Sequence, residues 1–562
     1  MDHFVQPGGE VMIQEHLRAA LRDAAEAEGL DAPAEIGLEQ PANRDHGDWS
    51  SNLALATAKQ AGTNPRELAT RLAERLDAAN IDHVESVEIA GPGFLNFRLA
   101  DTWLYDVLRC VVASGDDFGK NDSGAGTTVN VEFVSANPTG PLHAGHGRGA
   151  IYGDALSSVL EWNGYDVVRE TYINDRGVQM ETYAKSLSAR AKGEAPDEDG
   201  YQGQYIIDWA AEMPDDLDLD DLIAVREWGY AKAKADQTEV LDQLGITFDI
   251  WFSERSLLED GKIDDALATL RDRGMVFDED GAVWLKSTEF GDDKDRVLTK
   301  SDGDYTYLTP DIAYHGVKFG RSDQLVNVWG ADHHGYIARM KAAMSALGND
   351  ADKLDVRVTQ MVKLMRGGEE VKMGKRSGEF VALSEVVEEV GADATRFTYL
   401  SQSVDAQQTF DLEAAVAQAM DNPVFYTQMA HARICGIQRK VAEAGIERRP
   451  LSDVDLSQLT TDRELDVIRA LFTFPAVIAL AGTERAPHKV VQWLRDLAST
   501  VHGFYHDCYV MGDGVSPELT QARLWLIEAA RIGLANGFSL LGVSAPESMW
   551  LDEAQEEDAS GA

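Results

Sequence analysis

Apolar residues recur at helical spacing through residues 10–28 and again through 64–78, the second stretch opening at an Asn64–Pro65 start signal. VESVEIAGPGFLNFRLA, residues 84–100, alternates instead, which predicts two short strands around a Gly-Pro-Gly turn. Helices followed by a hairpin predict a small α+β domain over residues 1–115. The polar, Gly-rich residues 116–127 read as a linker. Next come a strand (VNVEFV), a Gly-rich stretch, a helix ending at Asn163–Gly164 and a second strand (YDVVRETYI). Strand, loop, helix and strand in this order make a βαβ unit. QLVNVWG (324–330) and DVRVTQMV (355–362) read as further strands with helical stretches between them. This alternation predicts an α/β, Rossmann-like domain with a doubly wound parallel sheet over 128–400. Residues 183–300 within it read as a mostly helical, acidic insertion. No strand pattern is visible from about 405 to 550. Residues 490, 491, 494, 497, 501, 504 and 505 form a helical stripe, and QARLWLIEAARIGLANGFSLLG is another helix with Gly542 as its C-cap. An all-α bundle over 401–551 and a frayed acidic tail over 552–562 follow.

With 562 residues, 44% of them hydrophobic, the chain is long enough for about three domains. No run approaches the ~18 uninterrupted apolar residues of a membrane helix, and MDHFVQPGGE lacks the layout of a signal peptide. Cys110, Cys435 and Cys508 are scattered and odd in number, so neither a disulfide framework nor a CxxC metal site is expected. The expectation is a cytoplasmic chain with no membrane partner and no metal site. Charge changes the picture more: 96 Asp and Glu against 51 Lys and Arg leave a formal net charge of -45. Such a surface either repels nucleic acid or suits a cytoplasm of molar salt, where the Debye length is about 3 Å. Scarce lysine with an ordinary apolar fraction fits the second, a halophilic origin. A nucleic-acid partner is therefore not excluded, and the remaining basic clusters become informative.

Two features carry candidate chemistry. The first is SANPTGPLHAGHGRGA, residues 135–150, which sets His143 and His146 between the first strand and its helix. Ligands in such sheets bind beyond the strand carboxyl ends, and a helix N-terminus favours phosphate. Gly140, Gly145, Gly147 and Gly149 would let a bulky ligand approach the backbone. Two histidines three apart also suit a metal pair or a plain surface, and no HEXXH is present. The second feature is VKMGKRSGEF, residues 371–380, a basic loop in an acidic chain. Lys363, Arg366, Lys372, Lys375 and Arg376 fall close together, opposed only by Glu369 and Glu370. A solvated charge run is the bland reading; a loop that closes over a triphosphate is the chemical one.

HAGH after the first strand, with KMGKR some way downstream, resembles the HIGH and KMSKS motifs of class I aminoacyl-tRNA synthetases. The flanks are similar to the arginyl-tRNA synthetases: VEFVSANPTGPLHAGHGRGAIYGDAL, GYDVVRETYINDRG, YTYLTPDIAYH, VWGADHHGY, NPVFYTQMAHARI and LANGFSLLGVSAPESM. The resemblance covers nearly the whole chain and is closest to the bacterial type, which keeps the second lysine, here Lys375.

This resemblance implies a ligase that activates arginine with ATP to arginyl-adenylate and pyrophosphate, then transfers arginine to the 3′-terminal adenosine of its tRNA. His143, His146, Lys372 and Lys375 would be catalytic. Pro138, Gly140, Gly145, Gly147 and Met373 would join them around ATP, which brings Mg2+ as part of the substrate. Glu132, Ser135, Asn137, Tyr307, Asp311, Asp332 and His333 would bind arginine. A guanidinium needs planar acceptors, best supplied by carboxylates. Glu132, inside a strand, costs free energy unless it is paired. From the residues alone, Thr309, Pro310 and Asp311 read as N-cap, N1 and N2 of a helix, and Tyr307 as a core aromatic. Tyr426, His431 and Arg433 are the candidates for tRNA contact on the bundle, Phe425 being a packing residue, and the N-terminal domain would meet the tRNA elbow. The chain would act as a monomer, with activation dependent on tRNA. A small-molecule nucleotidyltransferase would not need the helical appendage, and a cysteine-specific synthetase would need a zinc-binding set. A non-enzymatic tRNA-binding paralogue would not need both motifs intact.

Overall fold

A computed structural model describes residues 12–41, 43–371 and 381–549. At its centre lies a five-stranded sheet in the order Leu354–Thr359, Gln324–Gly330, Thr128–Glu132, Asp166–Ile173, Ile250–Ser253, with every pair parallel. These strands are rich in Val and Ile and packed on both faces, as parallel sheets require. The strand order reverses between Thr128–Glu132 and Gln324–Gly330, so the ligand crevice of a doubly wound sheet opens beyond their carboxyl ends. The helix Ala144–Trp162 leaves one side of this crevice and the 3-10 turn Ala331–Tyr336 the other.

The 183–300 region differs from the expected helical insertion. The helices Val178–Ala191, Gln204–Ala211 and Leu222–Gln243 build their own small core from Met180, Tyr183, Leu187, Ile206, Trp209 and Val225. After them comes Ile250–Ser253, the fifth strand of the main sheet, and then an antiparallel sheet of Val276–Glu279, Ala282–Leu285 and Arg296–Thr299. Asp280 and Gly281 both have positive φ (50° and 77°), the two-residue turn that matches strand twist. The 355–362 stretch also divides. Leu354–Thr359 stays in the main sheet, while Val362–Arg366 pairs with Glu369–Glu370 and with Gln408–Asp411. A strand therefore lies beyond residue 405, where none was expected.

In the N-terminal domain the helices Met12–Ala27, Leu53–Ala61 and Pro65–Ala79 accompany an antiparallel sheet that contains the hairpin Val84–Ala90/Phe94–Leu99. Asn64 caps its helix by accepting the Glu67 N–H at 2.9 Å. The C-terminal region packs Pro423–Glu443, Asp462–Phe472, Phe474–Glu484, His488–Asp507 and Pro517–Leu541. Gly542 ends the last of these in the left-handed conformation (φ 63°), as its position predicts. Among the described residues, two stretches, Asp462–Glu484 and Pro517–Leu541, are long and apolar enough to cross a membrane by composition, and both are mostly buried within the bundle.

Polar clamps join the bundle to the HAGH helix. Tyr152 donates its hydroxyl to the Arg485 carbonyl at 2.7 Å. Arg396, fully buried, reaches the carbonyls of Leu541 and Leu244 and the carboxylate of Asp154.

Candidate active site

The strand Thr128–Glu132 does not run straight into its loop. Val134 (φ 70°) and Ser135 (φ 41°) both sit in the left-handed region, which costs non-glycine residues on the order of 1–3 kcal/mol each. Ser135 Oγ holds the turn by accepting the Tyr172 N–H at 3.3 Å while donating to Glu132 Oε1 at 2.8 Å. The loop then passes Asn137, which is exposed, and Pro138, which is buried. Gln237, on the insertion helix Leu222–Gln243, donates to the carbonyls of Asn137 (3.1 Å) and Gly140 (2.8 Å). The insertion thus props the loop from outside.

His143 stands at the N-cap position of the helix Ala144–Trp162, and His146 lies in its first turn. Their rings stack at 3.6 Å, 23° from parallel. The His143 N–H donates to His146 Nδ1 at 3.2 Å, so a neutral His146 carries its proton on Nε2. Three contacts stitch this helix start to the chain that follows the basic loop. Ala144 N–H donates to Val381 O at 3.0 Å, Leu383 N–H to Leu142 O at 2.7 Å, and Tyr399 Oη to Ala144 O at 2.8 Å. On the near side Val371 N–H donates to Leu364 O at 2.9 Å. Lys372, Met373 and Lys375 lie outside the described residues; the chain that follows their segment, Val381 to Leu383, is hydrogen-bonded to the HAGH helix start.

The glycines have a different reason from the one expected. A Cβ on Gly147 would sit 2.7 Å from Leu383 Cδ1 and 3.1 Å from the Tyr399 ring. On Gly145 it would sit 2.9 Å from the His143 ring, and on Gly140 3.0 Å from Tyr205. Close protein packing crowds Gly147 and Gly145 and leaves only a tight fit at Gly140, while Gly149 has ordinary room.

The arginine candidates divide into two groups. Glu132 is buried and engaged: its Oε2 receives Lys318 Nζ at 2.5 Å and its Oε1 receives Ser135. Burial disfavours its charge, but Lys318 outweighs this and holds the carboxyl below its usual range. Asp311 is the opposite case. Burial, with Glu132 and Glu254 nearby, pushes its carboxyl up to about 7 despite the Tyr336 hydroxyl donating at 2.7 Å. Glu254 is also raised, first by burial, with Arg176 3.8 Å away and the Tyr172 hydroxyl beside it. Glu254, Tyr336 and Lys318 were not foreseen. Tyr336 closes the ADHHGY turn, and Glu254 directly follows the unforeseen fifth strand.

The helix begins at Leu308, two residues earlier than expected, with Tyr307 at the N-cap position. Thr309 is no cap, since its hydroxyl donates to Leu298 O at 2.7 Å. Tyr307 is 91% exposed, not a core aromatic. His333 is exposed and lies 6.1 Å from the Trp329 ring. The side chain of Asp332 lies outside the described residues.

On the bundle, His431 is only 3% exposed and donates Nδ1–H to the Pro546 carbonyl at 2.9 Å. It is a core residue that ties down the C-terminal segment, which removes it from the tRNA candidates. Phe425 is buried, as expected. Burial pushes His502 down to about 4, so the ring is neutral. Its Nε2–H donates to Tyr426 O (2.9 Å) and its Nδ1 accepts from Arg433 (3.0 Å). Arg433 stacks 4.8 Å above the Tyr505 ring.

The family model for the catalytic domain of class I tRNA synthetases (R) matches residues 108–233 and 226–437. The arginyl tRNA synthetase N-terminal domain matches 12–99, and the DALR anticodon binding domain matches 427–549. Among similar proteins, the arginine–tRNA ligase of Geobacillus thermodenitrificans is 46% identical over 96% of this chain and 99% of that protein. That of Bacillus subtilis is 44% identical over 96% of this chain and 98% of that protein. The solved arginyl-tRNA synthetase of Thermus thermophilus aligns with a TM-score of 0.72 at 23% identity, covering 96% of this chain and all of that one.

Proposed function

The chain belongs to the class I arginyl-tRNA synthetases and is an arginine–tRNA ligase; from that premise we propose how its residues divide the reaction. ATP lies across the N-terminus of the HAGH helix, where backbone N–H groups and the helix dipole favour phosphate. An oxygen of the arginine carboxylate attacks the α-phosphorus and pyrophosphate leaves, giving arginyl-adenylate. The enzyme's task is placement and charge stabilisation. His146 Nε2–H and His143 donate to the phosphate oxygens as charge builds on them. Lys372 and Lys375 neutralise the departing pyrophosphate, and Met373 lies between them along the ATP-binding segment. Magnesium arrives with ATP as part of the substrate. Pro138 supports the ATP loop; Gly140, Gly145 and Gly147 contribute by allowing it to pack closely.

Asp311 and Glu254 take the substrate guanidinium, with Tyr307 at the lip and Tyr336 holding Asp311. Two carboxylates with raised affinity for protons are what a bound guanidinium would relieve. Ser135, Asn137, Asp332 and His333 line the carboxylate and amino end of the substrate. The tRNA 3′-terminal adenosine then attacks the arginyl carbonyl through a ribose hydroxyl and AMP leaves. Tyr426 and Arg433 contact the tRNA on the bundle, and the N-terminal domain meets the elbow. We further read the chain as a cytoplasmic monomer from a high-salt interior, whose activation step needs bound tRNA.

The observation that carries this reading is the stacked His143–His146 pair at a helix start whose Ala144 N–H and Leu142 carbonyl are hydrogen-bonded to the segment that follows the basic loop. The test is ATP–pyrophosphate exchange in molar KCl with each of the twenty amino acids, with and without tRNA. Exchange with arginine alone supports the assignment, and its restriction to tRNA-containing mixtures supports tRNA-dependent activation. Exchange with another amino acid would refute the Asp311–Glu254 subsite.

A further inference from the structure

Lys318 is fully buried, and its ammonium has three partners within the protein. Glu132 Oε2 lies at 2.5 Å, Asn327 Oδ1 at 2.7 Å, and the Tyr314 ring centroid at 4.7 Å. The network continues, because Asn327 Nδ2 donates to His315 Nε2 at 2.6 Å and His315 Nδ1–H donates to the Asp311 carbonyl at 2.8 Å. Asp311, His315 and Lys318 stand at i, i+4 and i+7 of the helix Leu308–Phe319, so one helical stripe carries the network. A buried ion pair is weak evidence for stability, since apolar residues of similar volume often serve as well. Placing an ammonium here calls for another reason.

We propose that Lys318 is the positioning residue of the arginine subsite: it holds Glu132 away from the substrate, fixes the strained Val134–Ser135 turn, and leaves Asp311 and Glu254 to take the guanidinium. The inference rests on the Asp311–Glu254 subsite argued above. Charge supports it. Glu132 is cancelled by Lys318, and Glu254 leans towards Arg176. Asp311 and Glu254, whose charge burial disfavours in both cases, then remain to share one guanidinium. Without Lys318, Glu132 would carry a further uncompensated charge into the pocket beside Asp311 and Glu254 and release its grip on Ser135. The carbonyl of Asp311 would also lose the neighbour chain that fixes His315.

Arginine-dependent pyrophosphate exchange at saturating tRNA, measured across pH, tests the proposal. Lys318→Met should raise KM for arginine about tenfold and leave KM for ATP within about twofold. The pH midpoint of the arginine KM should move up, because Asp311 then faces Glu132, Glu254, the Tyr336 and Tyr172 hydroxyls and neutral His315 with no nearby ammonium. The double variant Glu132→Gln/Lys318→Met, with both charges removed, should recover part of the arginine KM and return the midpoint towards wild type. A purely structural role would lower the folded fraction, hence kcat, without changing either KM or the midpoint. A folded Lys318→Met with unchanged arginine KM and midpoint, or with equal losses for ATP and arginine, overturns the proposal. Should that variant fail to fold, Glu132→Gln decides: its unbalanced ammonium should raise the arginine KM and move the midpoint down, and an unmoved midpoint overturns the proposal. Asp311→Asn is run in parallel. If it leaves the arginine KM unchanged, the subsite itself fails; if it raises KM while Lys318→Met is silent, only the role of Lys318 fails.

Discussion

Ala144 donates its backbone N–H to the carbonyl oxygen of Val381 at 3.0 Å, joining the first turn of the HAGH helix to the segment that follows the basic loop. Gly147 lies one turn further along, against Leu383 and Tyr399. Gly147→Ala places a methyl 2.7 Å from Leu383 Cδ1 and should destabilise the protein by about 1–3 kcal/mol through overpacking. It should also slow pyrophosphate exchange, because the strain falls between the two motifs. Adding Leu383→Val should restore both melting temperature and rate. A double variant no better than Gly147→Ala would show that the glycine serves something other than this contact.

His146 performs two separable tasks. Its Nδ1 accepts from His143 N–H, which places the proton of the neutral ring on Nε2. Asparagine offers an acceptor near the Nδ1 position and no group at Nε2. His146→Asn should therefore melt within about 1 kcal/mol of wild type while losing about 10²–10³ in the activation step. Single-turnover adenylate formation beside a thermal melt separates the two. Equal loss of stability and rate would make His146 a cap and nothing more.

The pH dependence of arginine binding follows from Asp311. Burial raises its folded pKa to about 7, above the ordinary 3.8. Below that value the free enzyme holds a proton on Asp311, and a guanidinium must displace it. Arginine affinity should thus be low at pH 6, improve as pH rises through 7 and level off by about pH 8. KM for arginine is expected to fall several-fold over this window, while KM for ATP changes less. Folding carries the opposite sign: because the folded carboxyl holds its proton more tightly, stability falls as pH rises from about 3.8 through 7 and levels off above it. A flat arginine KM from pH 6 to 8 would show that Asp311 does not meet the guanidinium.

Local patterns were legible wherever a residue acts on its sequence neighbours. Asn64 caps its helix, Gly542 ends one, and the strand–HAGH–helix unit lies where alternation and Gly-rich spacing put it. The fifth strand was hidden because Ile250–Ser253 has four residues and follows a long acidic helical stretch. The Asp280–Gly281 hairpin did carry a signal, outweighed by that acidic context. The Glu132–Lys318 pair spans 186 residues, and no periodicity reports on such a pairing. Family likeness named Glu132 and Tyr307 as arginine-binding residues. It could not say that Glu132 is already occupied or that Tyr307 stands open. His431 was misread because a polar residue in a helical stripe looks exposed until a distant carbonyl, here Pro546, buries it.

Salt dependence is the remaining consequence of the composition. Even if each of the 51 Lys and Arg met a carboxylate, the 96 Asp and Glu would leave an excess of 45 negative charges. Screening weakens attractive pairs such as Arg71–Glu28 and Arg75–Glu28 as well as repulsions. Exposed pairs contribute only about 0–1 kcal/mol each, so relief of the excess repulsion decides the sign. Raising KCl from 0.1 to 3 M shrinks the Debye length from about 10 Å to under 3 Å and should raise the melting temperature by more than about 10 °C. Activity should follow, because a tRNA approaching so acidic a surface is repelled at low salt. The measurement is a thermal melt and aminoacylation in parallel KCl series. A melting temperature that stays level or falls with salt would mean that local ion pairs outweigh the net charge, and the high-salt reading would be lost.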